Sequence, residues 1–261
     1  MGHKLGQVFI KDKNIFEKLI RYADIQPDNI VVEIGCGEGY LSAEMAKKCK
    51  KLYIIEIDPR CIELTVPKLP ENVTIIEADI LKTGFSEITE PRFRVIANIP
   101  YYISAPIVKV LIDYKDKLDS AILMVQDEFA RKLLAAPGQK DYGSFSVYTR
   151  YFFHTDWLFP VSRTCFRPVP KVESAVIRMT PHENPPFECD IDLFSSIVRS
   201  AFWGRRKTLS NCVTNSPYLS HLGLKAATIP FFTKHPAVRG ETLSILQFYE
   251  LYQDIHAILQ N

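Results

Sequence analysis

Asn98-Ile99-Pro100-Tyr101 brings an amide side chain, a rigid turn and an aromatic ring together within one short stretch. This grouping suits a demanding reaction, methylation of an exocyclic amino nitrogen on a nucleobase, whose lone pair is delocalised into the ring. Acceptors placed on the amino hydrogens favour the pyramidal geometry that frees the lone pair. Asn98 supplies a side-chain carbonyl for this purpose, and the turn held by Pro100 can present a backbone carbonyl. Tyr101 then offers a face on which the base can stack. No strong base is required when the methyl group leaves a sulfonium.

A second constellation lies upstream. Glu33-Ile34-Gly35-Cys36-Gly37-Glu38-Gly39 follows a short apolar run, at the place where an open α/β sheet binds its ligands. A dinucleotide fingerprint needs its third glycine five residues after the first. Tyr40 stands there, which argues against a nicotinamide enzyme. The acid-x-Gly-x-Gly-x-Gly pattern instead resembles the cofactor loop of S-adenosylmethionine-dependent methyltransferases. Glu56 and Asp79 close the next two apolar runs. A carboxylate at Glu56 can accept both hydroxyls of a ribose, and one at Asp79 can accept from an adenine amino group.

These residues need a scaffold that aligns strand ends. Apolar spacing predicts a helix over residues 14–23, a strand over 29–34, and a helix from residue 40. Strands are predicted over 52–57, 73–78, 93–97 and 120–125, with helices over 60–68 and 105–114 between them. Such alternation implies a mostly parallel sheet with helices on both faces. Residues 145–153 and 175–179 are further apolar runs read as closing the far edge of the sheet. After Pro181 the texture becomes helical, with an apolar stripe through Leu193, Phe194, Ile197, Val198, Ala201 and Phe202 and another over residues 242–259. The expected fold class is therefore α/β, a Rossmann-like methyltransferase sheet over residues 1–181, followed by a small α-helical domain over 182–261.

Composition excludes several alternatives. The chain has 261 residues, 47% of them hydrophobic and 24% charged, which is ordinary for a globular protein and unlike disordered, collagen-like or disulfide-scaffold chains. Net charge is only +2, so a polyanion must be met by a local basic face. The 6 cysteines lack the spacing of a metal or redox pair and are read as reduced thiols in a cytoplasmic protein; no metal is expected. No apolar run reaches the roughly 18 residues of a membrane span. One basic stretch stands out: residues 197–213 contain Arg199, Arg205, Arg206 and Lys207 and no acid. Trp203, beside them, reads equally as a core residue or a stacking platform.

Taken in order, Gly6-Gln7-Val8-Phe9-Ile10, Asn98-Ile-Pro-Tyr101, Tyr142-Gly143 with Ser146-Val147, Phe166-x-Pro168-x-Pro170-Lys171-Val172-x-Ser174 and Ala201-Phe202-x-x-Arg205-Arg206-Lys207-Thr208-Leu209 resemble the ribosomal RNA small subunit adenine N6,N6-dimethyltransferases. The resemblance implies dimethylation of two adjacent adenosines in a hairpin near the 3′ end of small-subunit rRNA, within the immature small ribosomal subunit, by a monomeric enzyme. It makes Val8, Ile10, Glu33, Gly35, Gly37, Glu56, Ile57, Asp79, Ile80 and Asn98 the contacts of S-adenosyl-L-methionine, with Gln7 ordering the amino-terminal segment over the methionine end. It assigns catalysis to Asn98, Pro100 and Tyr101, likens Phe166 to an aromatic that closes over the target base, and gives Arg205, Arg206 and Lys207 to the RNA. Val8 and Tyr102 depart from the family pattern, which commonly has asparagine at both places. A resistance-type enzyme acting on large-subunit rRNA shares the cofactor loop and the Asn-x-Pro-aromatic motif, but Tyr101 and the proline-rich segment favour the small-subunit enzyme. From another class, an RNA-binding assembly factor remains a rival.

Overall fold

The computed structural model describes residues 8–204 and 206–260; Gln7 and Arg205 lie outside the described residues. In chain order the elements are β1 (Phe9–Ile10), α1 (Lys13–Ala23), β2 (Ile30–Ile34), α2 (Tyr40–Ala46), β3 (Lys51–Glu56), α3 (Pro59–Thr65), β4 (Val73–Glu77), α4 (Ile80–Thr83), β5 (Phe93–Asn98), α5 (Ser104–Asp113), β6 (Leu118–Gln126), α6 (Asp127–Leu134), α7 (Ser144–Phe152), β7 (Phe153–Val161), β8 (Phe166–Arg167), β9 (Ser174–Pro181), α8 (Ile191–Phe202), α9 (Leu209–Asn215), α10 (Pro230–Lys234) and α11 (Ile245–Gln260). They form two compact units, Met1–Ala130 with His154–Pro181, and Arg131–Phe153 with His182–Asn261.

The first unit is the expected α/β fold. Its sheet has the order β4-β3-β2-β5-β6-β9-β7. From β4 across to β6 the strands are parallel, and β9 pairs antiparallel with β6. The strand interiors carry branched apolar side chains that are almost fully buried: Val31 and Val32, Leu52 and Ile54, Val95 and Ile96, Ile122 and Leu123. Continuous burial of this kind is what a parallel sheet covered on both faces demands. The chain runs outward from β2 to β3 and β4, then returns to β5 on the other side of β2. This reversal is a topological switch point, and it leaves a crevice beyond the carboxyl ends of β2 and β5. Asp12, Asp58 and Asp79 cap α1, α3 and α4 by accepting the amides of Asn14, Arg60 and Leu81, so two short crossovers begin right after β3 and β4.

The far edge of the sheet differs from expectation. Residues 145–153 were expected as sheet, yet Ser144–Phe152 is helix α7, and the edge strand is the Phe153–Val161 segment that follows it. The alternating polar residues of β7, His154 and Asp156, pair with each other on the open side. The last strand, β9, inserts between β6 and β7 rather than at the edge.

The second unit is helical and begins earlier than the boundary expected at Pro181, because α7 belongs to it. Tyr151 donates its hydroxyl to the Phe187 carbonyl at 2.9 Å, and its ring lies 5.5 Å from that of Phe194 on α8. Tyr142, just before α7, donates to the Leu243 carbonyl at 2.7 Å. Asp190 caps α8 through the amides of Asp192 and Leu193, and the predicted stripe of Phe194, Ile197, Val198 and Ala201 is buried. All 6 cysteines are free, and no described helix is long and apolar enough to cross a membrane.

Gly240 permits a close backbone approach to Ala201 of α8. A Cβ built there would fall 2.5 Å from the Ala201 carbonyl oxygen and 2.8 Å from the Ala201 Cβ, so backbone must yield to it. Gly240→Ala is therefore expected to cost about 1–3 kcal/mol of stability, read as a lowered urea midpoint with an unchanged slope.

Candidate active site at the carboxyl ends of the strands

A cavity of about 310 Å³ occupies the crevice of the first unit. Its walls come from the ends of β2, β3, β4 and β5: Gly35 and Gly37, Glu56 and Ile57, Asp79 and Ile80, and Asn98 and Pro100. Parallel register explains the gathering. Ile34 lies opposite both Ile55 and Ala97, so the next residues, Gly35, Glu56 and Asn98, reach the same level. Gly35 turns the chain away with φ +78, its amide donating to the Ile55 carbonyl at 2.9 Å. A Cβ there would project into open space, so the backbone itself forms the cavity wall.

Both carboxylates are held from behind. Glu56, only 4% exposed, accepts the Cys36 amide through Oε2 at 3.1 Å and the Asp58 amide through Oε1 at 2.8 Å. Oε1 keeps a lone pair for a ligand hydroxyl, while Oε2 also lies 3.6 Å from the Cys36 Sγ. Asp79 uses Oδ1 to cap α4 at 3.0 Å, which leaves Oδ2 for an amino donor. The Cys36 thiol, pushed upward by burial, stays protonated and points at Glu56 Oε2.

Asn98 is the unbalanced group. Its Nδ2 donates to the Val8 carbonyl at 3.2 Å, while its buried Oδ1 has no hydrogen-bond partner among the described residues. A buried acceptor without a donor is uncommon in a native fold and marks a place where a ligand donor belongs. The Pro100 carbonyl accepts the Ile103 amide at 3.0 Å and retains a second lone pair. Val8 is thereby fixed by its backbone, which makes its side-chain identity irrelevant to this contact.

The amino-terminal segment forms the outer wall. Phe9 and Ile10 pair with Arg167 and Phe166, the Lys11 amide donates to the Cys165 carbonyl at 2.9 Å, and the Phe9 ring lies 3.1 Å from where a Gly37 Cβ would stand. Gly37 is thus required by the strap above it.

Four expected site residues do not line the cavity. Ile10 and Phe166 are buried in the core beside it, Phe166 fully so. Glu33 lies beneath the glycine loop, where it accepts the Ser42 hydroxyl. Tyr101 is half-buried at the cavity's edge, its hydroxyl 2.7 Å from Ser174 Oγ. Conversely Phe9, Ile34, Ile55, Ala78, Leu81, Ile99, Tyr102 and Ile103 line the cavity although the sequence analysis assigns none of them to the site. Those at strand ends follow from adjacency to the carboxylates and Asn98; Leu81 and Ile103 carried no signal. Tyr102 is 63% exposed on the rim. In the second unit Arg206 and Lys207 are exposed, and Trp203, 42% exposed, carries the Lys207 ammonium 4.1 Å from its ring centroid.

Residues 2–251 match the family model described as ribosomal RNA adenine dimethylase. The chain is 38% identical to ribosomal RNA small subunit methyltransferase A of Caldanaerobacter subterraneus over 98% of each chain. To the protein of the same name from Chlorobium chlorochromatii it is 39% identical, over 95% of this chain and 91% of the relative. Among solved structures, a dimethyladenosine transferase from Plasmodium falciparum superposes with a TM-score of 0.83 at 27% identity, covering 95% of this chain and 98% of the other. The 23S rRNA methyltransferase ErmE superposes with a TM-score of 0.72 at 26% identity, covering 95% and 99%.

The electrostatics beneath the loop are asymmetric. Burial raises the Glu33 carboxyl from 4.5 to about 8; the Ser42 hydrogen bond opposes the shift and the charge of Glu56 adds to it. Glu33 is consequently protonated at neutral pH. The folded state keeps this proton up to pH 8, while the unfolded chain releases it near 4.5, so stability falls as pH rises through that window. Glu33→Gln, a neutral isostere, is expected to flatten the decline of melting temperature between pH 5 and 8, which a pH series of thermal melts checks.

Proposed function

Because the chain belongs to the ribosomal RNA adenine dimethylase family, we propose that it dimethylates N6 of two adjacent adenosines in a hairpin near the 3′ end of small-subunit rRNA, during small-subunit biogenesis in the cytoplasm and as a monomer. The observation that carries this reading is the open, buried Oδ1 of Asn98 at the end of β5. Near-full-length similarity to small-subunit methyltransferases, and the closer superposition on the dimethyladenosine transferase than on the large-subunit enzyme, favour this substrate over 23S-type rRNA.

S-adenosyl-L-methionine fits the residues present. Glu56 would hold the ribose hydroxyls and Asp79 Oδ2 the adenine amino group, with Ile57, Ile80, Gly35, Gly37 and Val8 lining the same cavity. When bound, the cofactor supplies an electrophilic methyl group on a sulfonium. Asn98 Oδ1 accepts one N6 hydrogen of the target adenine and the Pro100 carbonyl accepts the other, which turns the nitrogen lone pair toward the methyl group. The positive charge developing on nitrogen is met by these two oxygens, and the proton leaves to solvent after transfer. An adenine in a stem cannot reach this crevice, so the target is unpaired or flipped out of its loop. Tyr101 stacks on it. Arg206 and Lys207, with Arg205, hold RNA phosphates.

Two variants separate chemistry from binding. Asn98→Ala is expected to lower methyl incorporation into immature small subunits by about 100-fold or more, with less than about a tenfold change in cofactor affinity by calorimetry. Glu56→Ala, which removes two hydrogen bonds to a charged acceptor, is expected to weaken cofactor binding by about 100-fold or more. Full turnover by the Asn98 variant removes that residue from the chemistry. Neutralising Arg206 and Lys207 together is expected to weaken RNA binding and make the slope of log affinity against log salt shallower by about 1–2; an unchanged slope removes them from the RNA interface.

A further inference from the structure

Tyr101 is fixed at both ends. Its carbonyl accepts the hydroxyl of buried Ser104 at 3.1 Å, and its phenol hydroxyl lies 2.7 Å from Oγ of Ser174, 73 residues away in the chain. Ser174 is itself immobile. It is fully buried, it opens β9 opposite Gln126 on β6, and the residue before it is held by the Asp127 amide donating to the Glu173 carbonyl at 3.0 Å. On the same sheet Asn98 lies opposite Met124, two residues before Gln126 on β6. The phenol tip is therefore anchored to the carboxyl-end edge of the strands that also present the open Asn98 oxygen.

We propose that Ser174 is a positioning residue for methyl transfer, holding the Tyr101 ring through its hydroxyl as the fixed wall against which the target adenine is aligned with Asn98. The inference rests on the functional reading above and adds a residue to it. A phenol tethered only through its Cα–Cβ and Cβ–Cγ bonds would sweep a range of angles, and a base stacked on it would sweep with it. The tether removes that freedom before the base arrives, which keeps the amino nitrogen within reach of a near-attack geometry. The effect is larger for the second methylation. Monomethylated adenine has one N6 hydrogen left, so a single acceptor orients it and the stacking wall carries more of the alignment. A base held loosely leaves after one transfer.

The test compares Ser174→Ala, Tyr101→Phe and the double variant with the wild-type protein, using immature small subunits and nucleoside mass spectrometry. Tyr101→Phe removes the same hydrogen bond from the half-buried end of the pair and leaves the ring, and so the packing, in place, which guards against a folding defect in the serine variant. Each single variant is expected to lose about tenfold in kcat, with an unchanged KM for S-adenosylmethionine. The double variant should lose no more than either single one, because one hydrogen bond is removed in all three. In all three the ratio of N6-methyladenosine to N6,N6-dimethyladenosine should rise; a partly unfolded enzyme would lower both products together. A wild-type kcat and product ratio in Tyr101→Phe overturns the proposal, as do losses that multiply in the double variant. Wild-type protein that methylates no adenosine in small-subunit rRNA overturns the functional reading, and this inference with it, before any variant is compared.

Discussion

The carboxamide of Asn98 has a donor end and an acceptor end, and the Val8 carbonyl decides which way it faces. Turning the amide over would set two carbonyl oxygens against each other, so Nδ2 must point at Val8 and Oδ1 is the end left buried without a partner on a residue that lines the crevice. From this one constraint the rest of the site follows. The amino-terminal segment has to lie across the strand ends to offer its carbonyl. β1 has to pair with β8 to keep it there, and Gly37 has to lack a side chain so that Phe9 can pass. The parallel sheet supplies the matching condition, since its register brings Gly35, Glu56 and Asn98 to one level, with Asp79 two residues beyond that level at the end of β4.

The burial of Phe166 takes on meaning within this frame. Its ring joins the core with Ile10, Phe159, Val161 and Val176, and so anchors β1, the strand that directly follows Val8. Its contribution in this arrangement is to the strap. The loop below shows the same economy of charge. Glu33 and Glu56 are both buried near the glycine turn; one is neutral and bonded to Ser42, and the other is held by two backbone amides and lines the cavity. A single negative charge is thereby directed at the ligand.

Much of this was legible in the sequence because it depends on neighbours in the chain. Apolar runs ending in Gly35, Glu56, Asp79 and Asn98 identify strand ends, and a parallel sheet brings such ends together whatever the details of the helices. What was not legible depends on distant partners. The run at 145–153 has the apolar content of a strand, and only its packing against Phe187 and Phe194 makes it a helix of the second unit. Phe166 carries the motif of a base-facing aromatic, yet its pairing with Ile10 buries it. The hydroxyls of Tyr101 and Ser174 belong to separate motifs, and nothing in either spacing announces that they meet. Trp203 was undecided for the same reason, and its exposed ring under the Lys207 ammonium settles it as a surface residue.

The central claim is that the open acceptor at the end of β5 serves the N6 amino group of adenosine in small-subunit rRNA. The most direct measurement incubates the protein with methyl-labelled S-adenosylmethionine and immature small subunits, digests the RNA, and locates the label by mass spectrometry. The account predicts N6,N6-dimethyladenosine at two adjacent positions near the 3′ end. Label found only in large-subunit rRNA, or no label despite measured binding of cofactor and subunit, would contradict it.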